Sequence, residues 1–260
     1  MGFRVIHDKT AIAAFCRENP FLHLYSLGDL DDFFWKYTTW FGLMDGQSLR
    51  ELLLLYQGVS VPTLLGFSEH ILEMKRLLES IVGFLPRRFN AHLSPGLEEV
   101  LCRGYAVEPH GAFFRMALTK TSIIEGSDFS GAERLSTSDI ASIERLYAES
   151  YPGNWFDRRM LETNQYFGVN VDGDLVSIAG IHVYSETYGV SVLGNITTHP
   201  LWRGRGLGTK VTGRLCQSLM EKIDHIGLNV NSTNHGAIRL YERLGFETIA
   251  SYGEFVMTAH

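Results

Sequence analysis

The feature that most constrains the fold is a glycine-rich turn in the C-terminal half, with the sequence RGRGLG at residues 203–208. Branched residues typical of a strand precede it, and apolar residues at helical spacing follow, so the pattern predicts a strand, a tight turn and a helix. The N–H groups at a helix start are unpaired and attract anions, and glycines let a ligand approach the backbone closely. Two arginines would strengthen this attraction, so the sequence predicts a phosphate site.

Two familiar phosphate-binding patterns do not fit the turn. Counted from Gly204, both the Walker A loop and the dinucleotide fingerprint need a glycine where the chain has Thr209. The pattern that fits is (Arg/Gln)-x-x-Gly-x-(Gly/Ala), where x is any residue. Arg203, Gly206 and Gly208 satisfy it. A plain tight turn with solvated arginines is the structural alternative, and another kind of nucleotide-binding protein is the functional one.

The segment ITTHPLWRGRGLG, together with NVNSTNHGAIRLYERLGF downstream, resembles the GCN5-related N-acetyltransferases, the GNAT superfamily. The resemblance covers about residues 131–260. It is specific because both motifs occur in order, separated by one predicted helix and one predicted strand. It implies an α/β fold in which helices flank a mixed central sheet, with acetyl-CoA bound as co-substrate and no metal.

The resemblance also implies a role for each matching position. The residues implied to bind acetyl-CoA lie at a bulged strand end, in the glycine turn and at two helix starts. They are Ile196, Thr197, Thr198, Arg203, Gly204, Arg205, Gly206, Leu207, Gly208, Thr209 and Asn234. Tyr241, seven residues beyond Asn234, is implied to be the catalytic acid that protonates the departing CoA thiolate. The structural alternatives are a plain strand at residues 196–198, a helix N-cap at Asn234 and a packing role for Tyr241.

The implied reaction is direct attack of a primary amine on the acetyl thioester, with a small molecule or an amino acid as the acceptor. Some relatives have a glutamate base where this chain has Asn229. Glu186, His182, His199 or a chain of water molecules could replace that base, and none is assigned. The alternative function is an acyl-CoA sensor without turnover, which Asn229 favours and Tyr241 does not.

The N-terminal half shows nearly the same order of predicted elements but has no glycine turn. Its third predicted strand, VSVPTLLGF, runs directly into a helix. We therefore predict a tandem arrangement, with a degenerate GNAT-like or accessory domain at residues 1–120 and a catalytic domain at residues 131–260. The polar segment TKTSIIEGSDFSG at residues 119–131 is interpreted as the linker. The segment ENPFLHLYSLGDL at residues 18–30 resembles, in composition only, the openings of two-part acyltransferases of this superfamily.

Composition excludes several partners. The net charge of −6 argues against nucleic acid or an anionic membrane as a partner. The three cysteines are too far apart in sequence for a zinc site, and the longest apolar run, LLLLY, is too short to span a membrane. We expect a cytoplasmic protein with a small-molecule partner, and the oligomeric state is not predicted.

Overall fold

The computed structural model describes residues 2–260, which divide into two compact units. The first unit contains the residues up to Arg115 together with residues 231–233 and 248–260. The second unit contains residues 116–230 and 234–247. The end of the chain therefore folds with the N-terminal half. The assignment of separate roles to the two halves of the sequence stays a prediction.

The described chain contains strands and helices in a mixed order. The strands are β1 (Gly2–Val5), β2 (Thr38–Asp45), β3 (Ser48–Tyr56), β4 (Thr63–Gly66), β5 (Arg88–Leu93), β6 (Tyr105–Leu118), β7 (Glu133–Arg134), β8 (Phe167–Val171), β9 (Asp174–Ser185), β10 (Val190–Thr198), β11 (His225–Asn231) and β12 (Phe246–Ala259). The α-helices are α1 (Lys9–Glu18), α2 (Leu24–Gly28), α3 (Asp32–Trp35), α4 (Ile71–Ile81), α5 (Glu98–Leu101), α6 (Thr121–Glu125), α7 (Ile140–Ser150), α8 (Leu207–Leu219) and α9 (His235–Arg243). Within residues 2–260, none of these helices combines the length and apolar character needed to cross a membrane.

The first unit is a sheet with a helix packed on its apolar face. Its strand order includes the run β1, β2, β3, β4, β5 and β12. β4 and β5 are parallel, and the other neighbours in this run are antiparallel. The residues of α4 that are completely buried in this core are Met74, Leu77, Leu78 and Ile81. The helical spacing of these four residues and Ile71 in SEHILEMKRLLESIVG predicts a helix with all five buried. The helix is confirmed, although Ile71 is only partly buried.

The second unit has the strand order β11, β10, β9, β8 and β7. β10 runs parallel to β11 and antiparallel to β9, and α7 and α8 pack against this sheet. Asp172 and Gly173 join β8 to β9 in a two-residue turn, and both have positive φ. An Asp-Gly pair suits such a turn because its backbone twist matches that of the strands. The sequence DGD at residues 172–174, between β-branched residues, predicts a hairpin, and the structure confirms it.

The polar segment predicted as a linker is packed into the second unit. It contains α6, whose Ile124 is completely buried, and Phe129, which is 6% exposed. A Cβ atom on Gly213 of α8 would lie 2.2 Å from the Phe129 ring, so glycine at this position makes room for the ring. The linker prediction was wrong because a few apolar side chains attach this segment to the core.

Candidate functional site

The end of β10 has no neighbouring strand on one side. Its parallel pairing with β11 covers Val190 to Leu193 only. On its other side, the pairing with β9 shifts register between Gly194 and Thr197, because β10 has one more residue than β9 in this interval. Asn195, in this bulge, has a left-handed conformation with φ of 54°. The expected bulge is present, and residues 196–198 have no backbone partners from β11.

Asn195 holds the bulge in place through its side chain and its carbonyl. Its Oδ1 accepts a hydrogen bond from the backbone N–H of Trp155 at 3.2 Å and lies 3.3 Å from Nε2 of His182. Its Nδ2 donates to the hydroxyl of Tyr166 at 3.0 Å, and its carbonyl accepts from the hydroxyl of Tyr147 at 2.7 Å. Sequence reasoning missed Asn195. The usable signal was that asparagine tolerates the left-handed region.

Two glycines of the turn adopt conformations that other residues rarely adopt. Gly204 has φ of 75° and Gly206 has φ of 77°. No atom lies within 4 Å of the Cβ that a side chain would add at either position. Backbone conformation therefore requires glycine at both positions, and the open space beside them leaves room for a ligand.

The two arginines of the turn are exposed, and both have a partner there. Arg203 donates from Nε to the carbonyl of Thr198 at 3.1 Å, which connects the turn to the end of β10. The guanidinium carbon of Arg205 lies 4.5 Å from the centroid of the Trp202 ring. Both interactions leave the positive charges in place, so the turn remains attractive to anions.

The start of α8 has no side-chain cap. Gly206 occupies the N-cap position, and the first turn of the helix contains no acidic residue. The positive end of the helix dipole is therefore not neutralised by a neighbouring side chain. Gly208 allows close packing here, because an added Cβ would lie 3.0 Å from Cδ1 of Leu240 and 3.5 Å from Oγ1 of Thr198. The structure thus brings together the end of β10, the start of α8 and the side of α9.

Asn234 is the N-cap of α9. Its Oδ1 accepts from the backbone N–H of Ala237 at 3.1 Å, and the residue is exposed. Gly245, with φ of 94°, follows the helix as predicted. The capping role of Asn234 is confirmed, and its contact with acetyl-CoA stays a prediction.

Tyr241 is buried in the second unit. It is 8% exposed, and its ring lies 5.9 Å from that of Phe246 in an edge-on contact. Burial, reinforced by the nearby Tyr151 and Cys216, raises the pKa of the Tyr241 phenol well above its usual range. The hydroxyl therefore keeps its proton at neutral pH, as a general acid must.

The candidate bases lie in different places. Glu186 pairs with Lys222 at 2.9 Å just after β9, at the end of β10 opposite to the bulge. His199 directly follows β10, and its Nε2 lies 3.4 Å from a carboxylate oxygen of Glu149. His182 contacts the bulge, and burial lowers the pKa of its imidazole. Only the two histidines lie near the end of β10.

Comparison with known proteins identifies the family of this region. Residues 135–246 match the family described as "Acetyltransferase (GNAT) family". These residues, which include β10, the glycine turn, α8 and α9, belong to that family, whose members use acetyl-CoA. An uncharacterized protein of Mycobacterium leprae is 32% identical over 126 residues, 44% of this chain. The match spans 34% of that relative's length. The resemblance inferred from the two motifs is confirmed.

Solved structures share the fold over nearly the whole chain. A Drosophila protein is 14% identical, with a TM-score of 0.71, and the match covers 99% of this chain and 98% of the Drosophila chain. A tandem GNAT protein from the clavulanic acid biosynthesis pathway is 13% identical, with a TM-score of 0.55 and coverages of 98% and 97%. At these identities the likeness concerns the fold alone. It confirms the α/β GNAT fold class in tandem form, which includes the N-terminal half. The family match of residues 135–246 supports acyl transfer in general.

Proposed function

We propose that the chain is an N-acetyltransferase that moves the acetyl group of acetyl-CoA to a primary amine of a small molecule or amino acid. The observation that carries the proposal is the meeting of the unpaired end of β10 with the uncapped start of α8, beside two glycines that face open space. A helix start of this kind suits a pyrophosphate, and a free strand edge suits an extended ligand.

The positive charges and the open backbone at the turn support acetyl-CoA as the ligand. The N–H groups at the start of α8, with Arg203 and Arg205, would hold the phosphates. The backbone of residues 196–198 would pair with the pantetheine arm and orient the thioester carbonyl, and Asn234 would bind the same arm. Among residues 2–260, no group of His, Cys, Asp and Glu side chains could hold a metal ion, and the proposal includes none.

Tyr241 would be the general acid. Acetyl-CoA supplies the thioester that the amine attacks directly, and Tyr241 protonates the CoA thiolate as it departs. His182, His199 and a chain of water molecules are the remaining candidates for the base that takes the proton of the amine, and none is assigned. Tyr151 and Trp155, which are 41% and 63% exposed, follow α7 and would line the acceptor side. Asn195 holds the backbone of Trp155 at the bulge.

Calorimetric titration with acetyl-CoA tests the binding step. Gly206→Trp places a large ring in the open space at the turn and should abolish binding. Gly173→Trp is the matched control, because Gly173 also has positive φ, 87°, with no atom within 4 Å of an added Cβ. It lies in the β8–β9 hairpin and should leave binding intact. Equal affinities of the native protein and a folded Gly206→Trp variant would overturn the proposed cofactor site.

An acyl-CoA sensor without turnover is the second candidate function, and Asn229 is the observation that favours it. An asparagine cannot act as a base at the position where some relatives have glutamate. A panel of primary amines and amino acids separates the two candidates. Release of CoA that depends on an amine supports the enzyme, whereas binding without turnover of any amine supports the sensor.

A further inference from the structure

The first unit has a cavity at the carboxyl ends of its parallel strands. β4 and β5 are parallel and each precedes a helix, as β10 and β11 do in the second unit. A cavity of about 430 Å³ is lined by residues that follow these strands, such as Ser68 and Ser94, and by Leu22 and Ser251. β12 pairs with β5 only from Gly253 onwards, so the preceding residues of β12 are free to form a wall. The first unit thus has a cavity at the topological position that the glycine turn occupies in the second.

This cavity is unsuited to a pyrophosphate. The segment between β4 and α4 contains no residue with positive φ, and the first turn of α4, unlike that of α8, contains an acidic residue, Glu73. Glu69 lies in the cavity wall, and the hydroxyl of Ser68 donates to the buried carboxylate of Glu51 at 2.7 Å. The negative charge of Glu69 therefore stands where the second unit has arginines, and a polyanion would be repelled.

A buried arginine contacts residues of the cavity wall or their sequence neighbours. Arg115 is 2% exposed, and its Nη1 donates to the carbonyl of Leu22, which lines the cavity. Its guanidinium carbon lies 3.9 Å from the centroid of the Phe67 ring and 5.7 Å from those of Tyr25 and Tyr252. Phe67 and Tyr252 directly adjoin two lining serines in sequence. Leu22 and Tyr25, in the middle of the segment ENPFLHLYSLGDL, thus lie against one side of this cation.

Arg115 lacks the partners that a buried cation needs. Its Nη2 is buried without a hydrogen-bond partner, and no carboxylate among the described residues pairs with it. Burial, aided by the charge of Arg115, lowers the pKa of His23 to about 3 and that of His92 to about 4, so both are neutral. Buried charges in proteins are normally paired. Within residues 2–260, no side chain supplies such an anion to Arg115.

We propose that this cavity binds a small organic carboxylate with an apolar tail, and that the carboxylate pairs with Arg115. The planar guanidinium matches a carboxylate in two parallel hydrogen bonds, and one cation suits one negative charge. Phe21, Ile71 and Ile249 provide apolar wall for the tail. Arg115 is buried behind Leu22, so the proposal requires Leu22 to move aside before the carboxylate can pair with the guanidinium. The first unit is then a ligand-binding unit in its own right.

Calorimetric titration of the full chain at constant ionic strength tests this site. The probes are isovalerate and L-valine, which share a branched tail and a carboxylate and differ by an α-ammonium group, with inorganic phosphate for comparison. The native protein should bind at least one of the two carboxylates saturably, and the one that binds shows whether the ligand is a free acid or an amino acid. Arg115→Met should weaken binding at least tenfold. Arg103→Met, which removes an exposed arginine of the same unit, should not.

A second variant tests the site with Arg115 in place, so that the test does not depend on whether Arg115→Met folds. Ser251 is exposed and lines the cavity, so Ser251→Trp should fill it without touching the guanidinium and should also weaken binding at least tenfold. Three results would overturn the proposal: no saturable binding of either carboxylate to the native protein, unchanged binding by a folded Arg115→Met or Ser251→Trp variant, or tighter binding of phosphate than of both carboxylates.

Discussion

Replacing Tyr241 by phenylalanine removes one hydroxyl from the candidate site and leaves the ring in place. Phenylalanine keeps the edge-on contact with Phe246, whose ring centroid is 5.9 Å away, and the burial of the ring, now 8% exposed. We expect the free energy of unfolding to change by less than about 1 kcal/mol, the net value of a typical hydrogen bond. The affinity for acetyl-CoA should also be unchanged, because the proposed role of the hydroxyl begins only when the thiolate departs.

The rate should change much more than the stability. A general acid contributes about 10²- to 10⁴-fold to a rate, which corresponds to about 2.7 to 5.4 kcal/mol in the activation barrier. Burial, then the neighbouring Tyr151 and Cys216, raises the pKa of the Tyr241 phenol, so the acid stays protonated at alkaline pH. The native kcat should therefore show no decline from loss of this proton up to about pH 10, the ordinary pKa of tyrosine.

The assay is release of free thiol from acetyl-CoA across a panel of primary amines and amino acids. Tyr105→Phe is the matched control, since Tyr105 is a buried tyrosine of the first unit whose hydroxyl donates to the carbonyl of Leu85. It should lower stability slightly and leave kcat unchanged. A folded Tyr241→Phe variant whose kcat equals that of the native protein would refute the acid role.

Three further substitutions test local features. Gly194→Ala would place a Cβ 2.3 Å from the ring of His182, and we expect urea unfolding to show a loss of about 1–3 kcal/mol; unchanged stability would contradict this close contact. Asn234→Ala removes the cap on the N–H of Ala237 and should lower the free energy of unfolding by about 1 kcal/mol, whereas Asn234→Ser should restore the cap. If the serine variant binds acetyl-CoA as tightly as the native protein, the asparagine side chain acts only as a cap. Burial raises the pKa of Glu51 from 4.5 to about 7, so protonation of this carboxyl favours the folded state. The free energy of unfolding of the native protein should therefore fall relative to that of Glu51→Gln as pH rises from 4.5 to 7. Parallel pH dependences of the two proteins would contradict this shift.

Features that depend on a few neighbouring residues were predicted correctly from the sequence. The helix α4 follows from apolar residues at a spacing of three and four, and the β8–β9 hairpin follows from an Asp-Gly pair. Asn234 caps α9 because its short side chain reaches the N–H of Ala237. The glycine turn was recognised because Gly204 and Gly206 occupy conformations that restrict the residue type. The functional roles of these residues stay predictions.

Features that depend on distant parts of the chain were missed. Residues 119–131 were interpreted as a linker, because nothing in their sequence shows that Phe129 meets Gly213. Asn195 occurs in an ordinary Asn-x-Thr triplet, and its importance comes from partners such as Tyr147 and Tyr166 that precede it by many residues. The same holds for Arg115, whose lack of an ionic partner becomes visible only when its surroundings are known.

By itself, the sequence determined many of the strands and helices, the GNAT resemblance of residues 135–246 and the position of the glycine turn. It could do so because helical periodicity, turn conformations and capping act between residues that are close in the chain. Only the tertiary structure decided where β10 separates from β11, how Asn195 holds the bulge and which cavity wall contacts Arg115. Burial and pairing arise from contacts between distant residues, and no local pattern specifies them.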